Sequence, residues 1–158
     1  MTTINPGEYC ATKENRIIAT VLGSCISVAL FDRRLRFGGM NHFMLPGNVD
    51  GKNYFMTESG KYGMFAMELL INDMMKMGTR KSDLIAKVFG GGHVLRTSPN
   101  YTGNVPKGNI DFAFTYLETE VIPVESADVG KTYARKVFYF PQTAKILMKR
   151  ITGNLFTE

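Results

Sequence analysis

Two stretches of this chain repeat apolar residues at helical spacing, and the rest of its apolar content comes in short runs suited to strands. The chain is therefore constrained to a mixed domain of strands with two helices. The first helix is expected from Met64, with Met67, Leu70, Ile71 and Met74 on one face and Gly78 as its stop. The second carries Ile110, Ala113, Phe114 and Leu117 on one face, behind Pro106 and Gly108. Strands are expected at Ile17 to Thr20, Ile26 to Phe31, Arg36 to Asn41, Leu84 to Phe89 and Arg135 to Phe140, with Val121 to Val124 extended. Ala144 to Ile151 has helical spacing as well, but suits a closing strand, which is the reading adopted. Residues 46–60 are rich in turn formers and read as a loop.

At 158 residues, 44% hydrophobic and 21% charged, the chain reads as one globular domain, 1–158, able to bury a core without disulfide staples. Cys10 and Cys25 are expected to be free thiols, with Cys10 packing structurally. There is no long apolar run, and Met1 to Pro6 lacks the charged and apolar regions of a leader, so a cytoplasmic protein without membrane insertion is expected. Nineteen basic against fourteen acidic residues give a net charge of +5, which favours acidic partners. The basic residues are scattered and accompany no nucleic-acid module, so nucleic acid is not an expected partner.

The residues with chemistry gather around Cys25. It follows a Gly23-Ser24 turn and opens an apolar strand, a place where a thiol can be presented to a substrate. A hairpin with a two-residue loop at Arg33-Arg34 would set Cys25 opposite His42, with Cβ atoms roughly 4.5–5.5 Å apart. A one-residue slip would separate them, and Gly38-Gly39 could host a bulge that changes the count. An imidazolium beside a thiol lowers its pKa, so His42 would activate Cys25 and hand a proton to a leaving group. Thr20, across the turn, or a backbone carbonyl would hold the imidazole tautomer. Backbone amides of Gly23, Ser24 and Cys25 are the natural oxyanion donors. His93 is a rival base. The Gly90-Gly91-Gly92 run beside it lacks the Lys-Ser/Thr ending of a phosphate loop, and the Cys and His intervals are not those of a zinc site, so no cofactor or metal is expected.

With these residues in hand, the chain resembles the CheD family of chemoreceptor glutamine deamidases. The resemblance rests on Gly7-Glu8-Tyr9, Thr20-Val21-Leu22-Gly23-Ser24-Cys25, Gly39 through Pro46, Lys61-Tyr62-Gly63, Lys87 through Gly91, Gly108-Asn109, and Asp128 with Gly130 ahead of Arg135-Lys136-Val137. It implies an α+β fold, a layered sandwich of mixed sheets with two main helices similar to deamidating toxins. It also implies a catalytic group of Cys25, His42 and Thr20, and hydrolysis of receptor glutamine side chains to glutamate, often of glutamyl methyl esters too. The implied partners are the cytoplasmic helical bundle of methyl-accepting chemotaxis receptors and the phosphatase CheC. The rival reading is a non-catalytic adaptor that regulates receptors or a CheC-like phosphatase by occupancy.

Overall fold

A computed structural model describes residues 1–46, 57–94 and 105–151. Among the described residues nine strands form two sheets. They are β1 (Thr2–Thr3), β2 (Tyr9–Thr12), β3 (Ile18–Leu22), β4 (Ile26–Asp32), β5 (Phe37–Asn41), β6 (Leu84–Gly90), β7 (Val124–Val129), β8 (Ala134–Phe140) and β9 (Lys145–Ile151). The helices are α1 (Glu58–Lys76) and α2 (Val105–Thr119). One sheet has the order β1-β3-β8-β9, the other β2-β5-β4-β6-β7, and each mixes parallel with antiparallel pairs. The architecture is the expected α+β sandwich.

The central strand β4 is buried at every position because both its faces are covered. Ile26, Val28 and Leu30 pack in the layer that holds Met67, Leu70 and Met74 of α1 and Phe112 and Leu117 of α2. Ala29 and Phe31 pack with Ile18, Leu22, Met40, Phe89, Val137 and Tyr139 between the two sheets. Burying each large apolar side chain contributes roughly 1.5–3 kcal/mol, and the two layers together fix the order sheet, sheet, helices.

Several expected boundaries shift. Helix α1 starts at Glu58 rather than Met64, because the Thr57 hydroxyl accepts from the Gly60 N–H at 2.9 Å and caps it. The end of the expected 46–60 loop is thus helical, while residues 47–56 lie outside the described residues. Val121 to Val124 is not extended throughout. Val121 adopts φ 58, its N–H donates to Glu118 O and that of Ile122 to Leu117 O, so this segment closes α2 and β7 begins only at Val124. The closing segment is a strand, as read, from Lys145. The short β1 and β2 are held by pairing with the distant β3 and β5.

The β4–β5 hairpin corrects the expected register. Asp32 pairs with Phe37, so the loop holds the four residues Arg33 to Arg36 rather than two. The cause is local: Asp32 Oδ1 accepts from the N–H groups of Arg34 and Leu35 at 2.8 Å each, and Arg36 at φ 61 returns its N–H to Asp32 O. No bulge forms at Gly38-Gly39, which pair regularly with Phe31 and Leu30. A side chain at Gly38 would collide with Tyr139 Oη and Leu30 O.

Candidate active site

The corrected register moves Cys25 without losing the site. Ile26 bridges Phe43 and Ala29 pairs with Met40, so Ser27 is the residue facing His42, and Cys25 is a diagonal neighbour of His42. A slip of two residues preserves the face, since side chains alternate with period two. Cys25, His42 and Thr20 all line one cleft of about 440 Å³, together with Ile4, Gly23 and Ser24. The structure thus brings together every residue expected at the site.

His42 is held from three sides. Its backbone pairs with the strand that leads into β2, donating to Glu8 O at 3.0 Å and accepting from Gly7 N–H at 2.8 Å. Its Nδ1 lies 2.7 Å from Thr20 Oγ1, and that hydroxyl donates its one proton to Ile4 O at 2.7 Å. The hydroxyl oxygen must then accept from Nδ1–H, which fixes the neutral tautomer and leaves the lone pair on Nε2. Nε2 is buried and has no hydrogen-bond partner among the described residues. His42 is only 3% exposed, and burial lowers its pKa to about 4 against the opposing effects of the Ile4 carbonyl and Glu8.

Burial likewise raises the Cys25 thiol above its ordinary range. The resting site therefore holds a neutral thiol and a neutral imidazole in one cleft, with no hydrogen bond between Cys25 Sγ and His42 Nε2, rather than the expected imidazolium with a lowered thiol pKa. Desolvation disfavours both charged forms, and at His42 it outweighs the opposing charge of Glu8. The arrangement suits proton transfer concerted with attack rather than a standing thiolate.

The Cys25 turn is anchored through its carbonyls. Gly23 O accepts from Gly92 N–H at 2.9 Å, Ser24 O from Asn109 Nδ2 at 2.9 Å, and Cys25 O from Gly91 N–H at 2.8 Å. The N–H groups of Ser24 and Cys25 have no acceptor among the described residues. Gly90, at φ +115, packs so closely on Cys25 O that a Cβ there would overlap it. The glycine run, read only as a failed phosphate loop, is thus the bed of the cysteine turn.

That bed is tied in turn to Arg135, which is fully buried and donates to Asp128 Oδ1 and to Gly130 O, both at 2.8 Å. Gly130 N–H then reaches Gly90 O at 2.9 Å. Burial alone would raise the Asp128 carboxyl, but hydrogen bonds from Arg135 and Tyr133 hold it below its usual value. Asn109 was missed as a site residue, although the Gly108-Asn109 pair is among the motifs that carry the family resemblance. His93, the rival base, is exposed, pairs through its N–H with Lys131 O and does not line the cleft. Cys10 is a free thiol packed against the core between the sheets.

A free thiol and an imidazole with an unengaged Nε2, sharing one cleft of a layered sandwich, define a cysteine–histidine class of site. Residues 44–150 match the family described as CheD chemotactic sensory transduction. The chain is 52% identical over 149 residues to the probable chemoreceptor glutamine deamidase CheD 1 of Shewanella oneidensis, covering 94% of this chain and 71% of that protein. It is 50% identical over 148 residues to the probable chemoreceptor glutamine deamidase CheD 1 of Albidiferax ferrireducens, covering 92% and 59%. To the probable chemoreceptor glutamine deamidase CheD of Methylobacillus flagellatus it is 45% identical over 150 residues, covering 94% and 72%. The chain belongs to the CheD family.

Proposed function

We propose that this protein hydrolyses glutamine side chains of methyl-accepting chemotaxis receptors to glutamate, with Cys25 as nucleophile, His42 as general base and acid, and Thr20 holding the imidazole. The observation that carries the reading is the Thr20 hydroxyl, which commits its proton to Ile4 O and so leaves His42 Nε2 unprotonated and without a partner at the wall of the cleft that Cys25 lines. The names of relatives half-identical to the chain support the substrate class.

The steps follow from these groups. As Cys25 sulfur attacks the carboxamide carbon, His42 Nε2 takes the thiol proton, and the carbonyl oxygen becomes an oxyanion facing the Ser24 and Cys25 N–H groups. The imidazolium returns its proton to the amine as the C–N bond breaks, releasing ammonia and leaving a thioester. Water then gives a proton to Nε2 while its oxygen attacks the thioester carbon, and the C–S bond breaks to release glutamate and the thiol. A glutamyl methyl ester would follow the same course with methanol as leaving group. Each amide turnover places one new negative charge on a receptor helix.

In this reading residues 1–158 act as one cytoplasmic deamidase domain on the cytoplasmic helical region of the receptor, and a CheC-like phosphatase would compete for the same cleft. Among the described residues no helix is long and apolar enough to cross a membrane. The test is incubation with a receptor cytoplasmic fragment, following ammonia release and the amide-to-acid mass change. Conversion by wild type and none by Cys25→Ala is expected. No conversion by wild type, or equal conversion by Cys25→Ala, returns the protein to the adaptor reading.

A further inference from the structure

We infer that Asn109 is a positioning residue for the oxyanion site, acting through a single peptide plane. The inference rests on the deamidase reading above. Asn109 is fully buried on α2 and spans two segments: its Oδ1 accepts from Leu45 N–H at 2.9 Å, and its Nδ2 donates to Ser24 O at 2.9 Å. One side chain therefore joins the turn that carries Cys25 to the segment just beyond His42.

The consequence follows from peptide geometry. The Ser24–Cys25 peptide is planar and trans, so its C=O and N–H point in opposite directions. Asn109 draws the carbonyl toward α2, and is not itself part of the cleft lining. The Cys25 N–H on the same plane is thereby aimed at the cleft, where it has no acceptor among the described residues. The Gly23–Ser24 plane is set the same way by Gly92 N–H on Gly23 O, which leaves the Ser24 N–H free. Without the amide of Asn109, the part-buried Ser24 carbonyl would lose its donor, and rotating the plane outward would satisfy it with solvent. That rotation turns the Cys25 N–H away and presents a carbonyl to the developing oxyanion.

Asn109→Asp, assayed at a pH where the carboxyl is ionised, tests this, because it then keeps an acceptor for Leu45 N–H and the side-chain volume while removing the donor to Ser24 O. The expected result is a loss of about 100-fold or more in kcat for the receptor fragment, the scale of losing one oxyanion donor. KM and the rate of Cys25 alkylation by iodoacetamide stay near wild type, since alkylation forms no oxyanion. Unchanged kcat overturns the inference, and so does a parallel fall of kcat and alkylation, which marks general damage to the turn. Should Asn109→Asp and Asn109→Ala both fail to fold, the wild type decides. A peptide carrying glutamate semialdehyde adds Cys25 sulfur to its carbonyl carbon, and the thiol proton passes to the oxygen or to His42. The Cys25 amide proton should then move downfield in the NMR spectrum, and an unmoved resonance overturns the inference. Wild type that forms this adduct with the shift but releases no ammonia from receptor fragments overturns the deamidase reading instead.

Discussion

Thr20 Oγ1 lies 2.7 Å from His42 Nδ1, and the sense of that bond is fixed by a second one, because the hydroxyl spends its proton on Ile4 O. A β-strand residue of one sheet thus sets the protonation pattern of an imidazole carried by the other. Thr20→Val keeps the shape and removes the acceptor, so Nδ1–H loses its partner and the Nε2–H tautomer, useless as a base toward Cys25, becomes competitive. General acid–base catalysis is typically worth 10²–10⁴-fold, and a fall of about 100-fold in kcat is expected. Thr20→Ser retains the hydroxyl and should stay within a few-fold of wild type. Equal losses in both variants would show that the methyl group matters and the hydroxyl does not.

The neutral resting pair has its own signature. Because burial raises the Cys25 thiol and lowers His42, iodoacetamide should alkylate Cys25 at a rate that keeps climbing with pH through the neutral range. A plateau already reached by neutral pH would mean a standing thiolate beside an imidazolium and would overturn this description. Cys10, also raised by burial, has to be replaced by Ser so that the measured rate belongs to Cys25.

His42 also links stability to pH. Its pKa is about 4 in the folded protein against 6.5 for the unperturbed side chain, so between these values the unfolded chain binds the proton more readily. Stability is whole above pH 6.5 and is lost as pH falls toward 4, by roughly 3 kcal/mol at 1.36 kcal/mol per unit. Urea titrations of wild type and His42→Gln at intervals across this window check the sign. The wild type should lose more stability than the variant on acidification. Identical slopes would show that some group other than His42 governs the change.

What could be read before folding, and what could not, divides by distance along the chain. Five strands, the closing strand and the α1 face are encoded locally, in β-branched runs and in the spacing of Met67, Leu70, Ile71 and Met74, and they stand in the structure with shifted ends. By contrast β1, β2 and β7 are not read, and the α2 face turns so that Phe112 and Tyr116 are buried while Ile110 and Phe114 are only partly so. The hairpin register is misread because two hydrogen bonds from the Asp32 carboxylate build a four-residue loop that composition alone does not announce. Cys25 and His42, no longer directly opposite, keep a shared face only because the error is an even number of residues. The supports of the site are invisible locally: Ile4 reaches Thr20 across the two-strand edge, Asn109 reaches Ser24 from 85 residues away, and Gly90 to Gly92 come from the far end of β6. Each is a long-range backbone contact, and no periodicity in the sequence reports those. The thiol's raised pKa is missed for the same reason, since it depends on how deeply the finished fold buries the turn.

The end of α2 offers a test of backbone strain far from the chemistry. Val121 sits at φ 58, a conformation that a β-branched residue adopts at a cost, while its N–H bonds Glu118 O at 3.1 Å and that of Ile122 bonds Leu117 O at 2.9 Å. This is the Schellman closure, in which the left-handed position is ordinarily glycine. The side chain is 81% exposed, so its removal gives up little packing, whereas Ile122 beside it is buried and anchors the turn. The left-handed conformation costs a non-glycine residue roughly 1–2 kcal/mol, and glycine returns part of that gain through its freer unfolded chain. Val121→Gly is therefore expected to stabilise the protein by about 0.5–1 kcal/mol, and Val121→Asn by less. Urea unfolding of the three proteins measures it, with deamidase activity unchanged in both variants. A destabilised glycine variant would mean that the Val121 side chain makes contacts worth more than the strain it imposes.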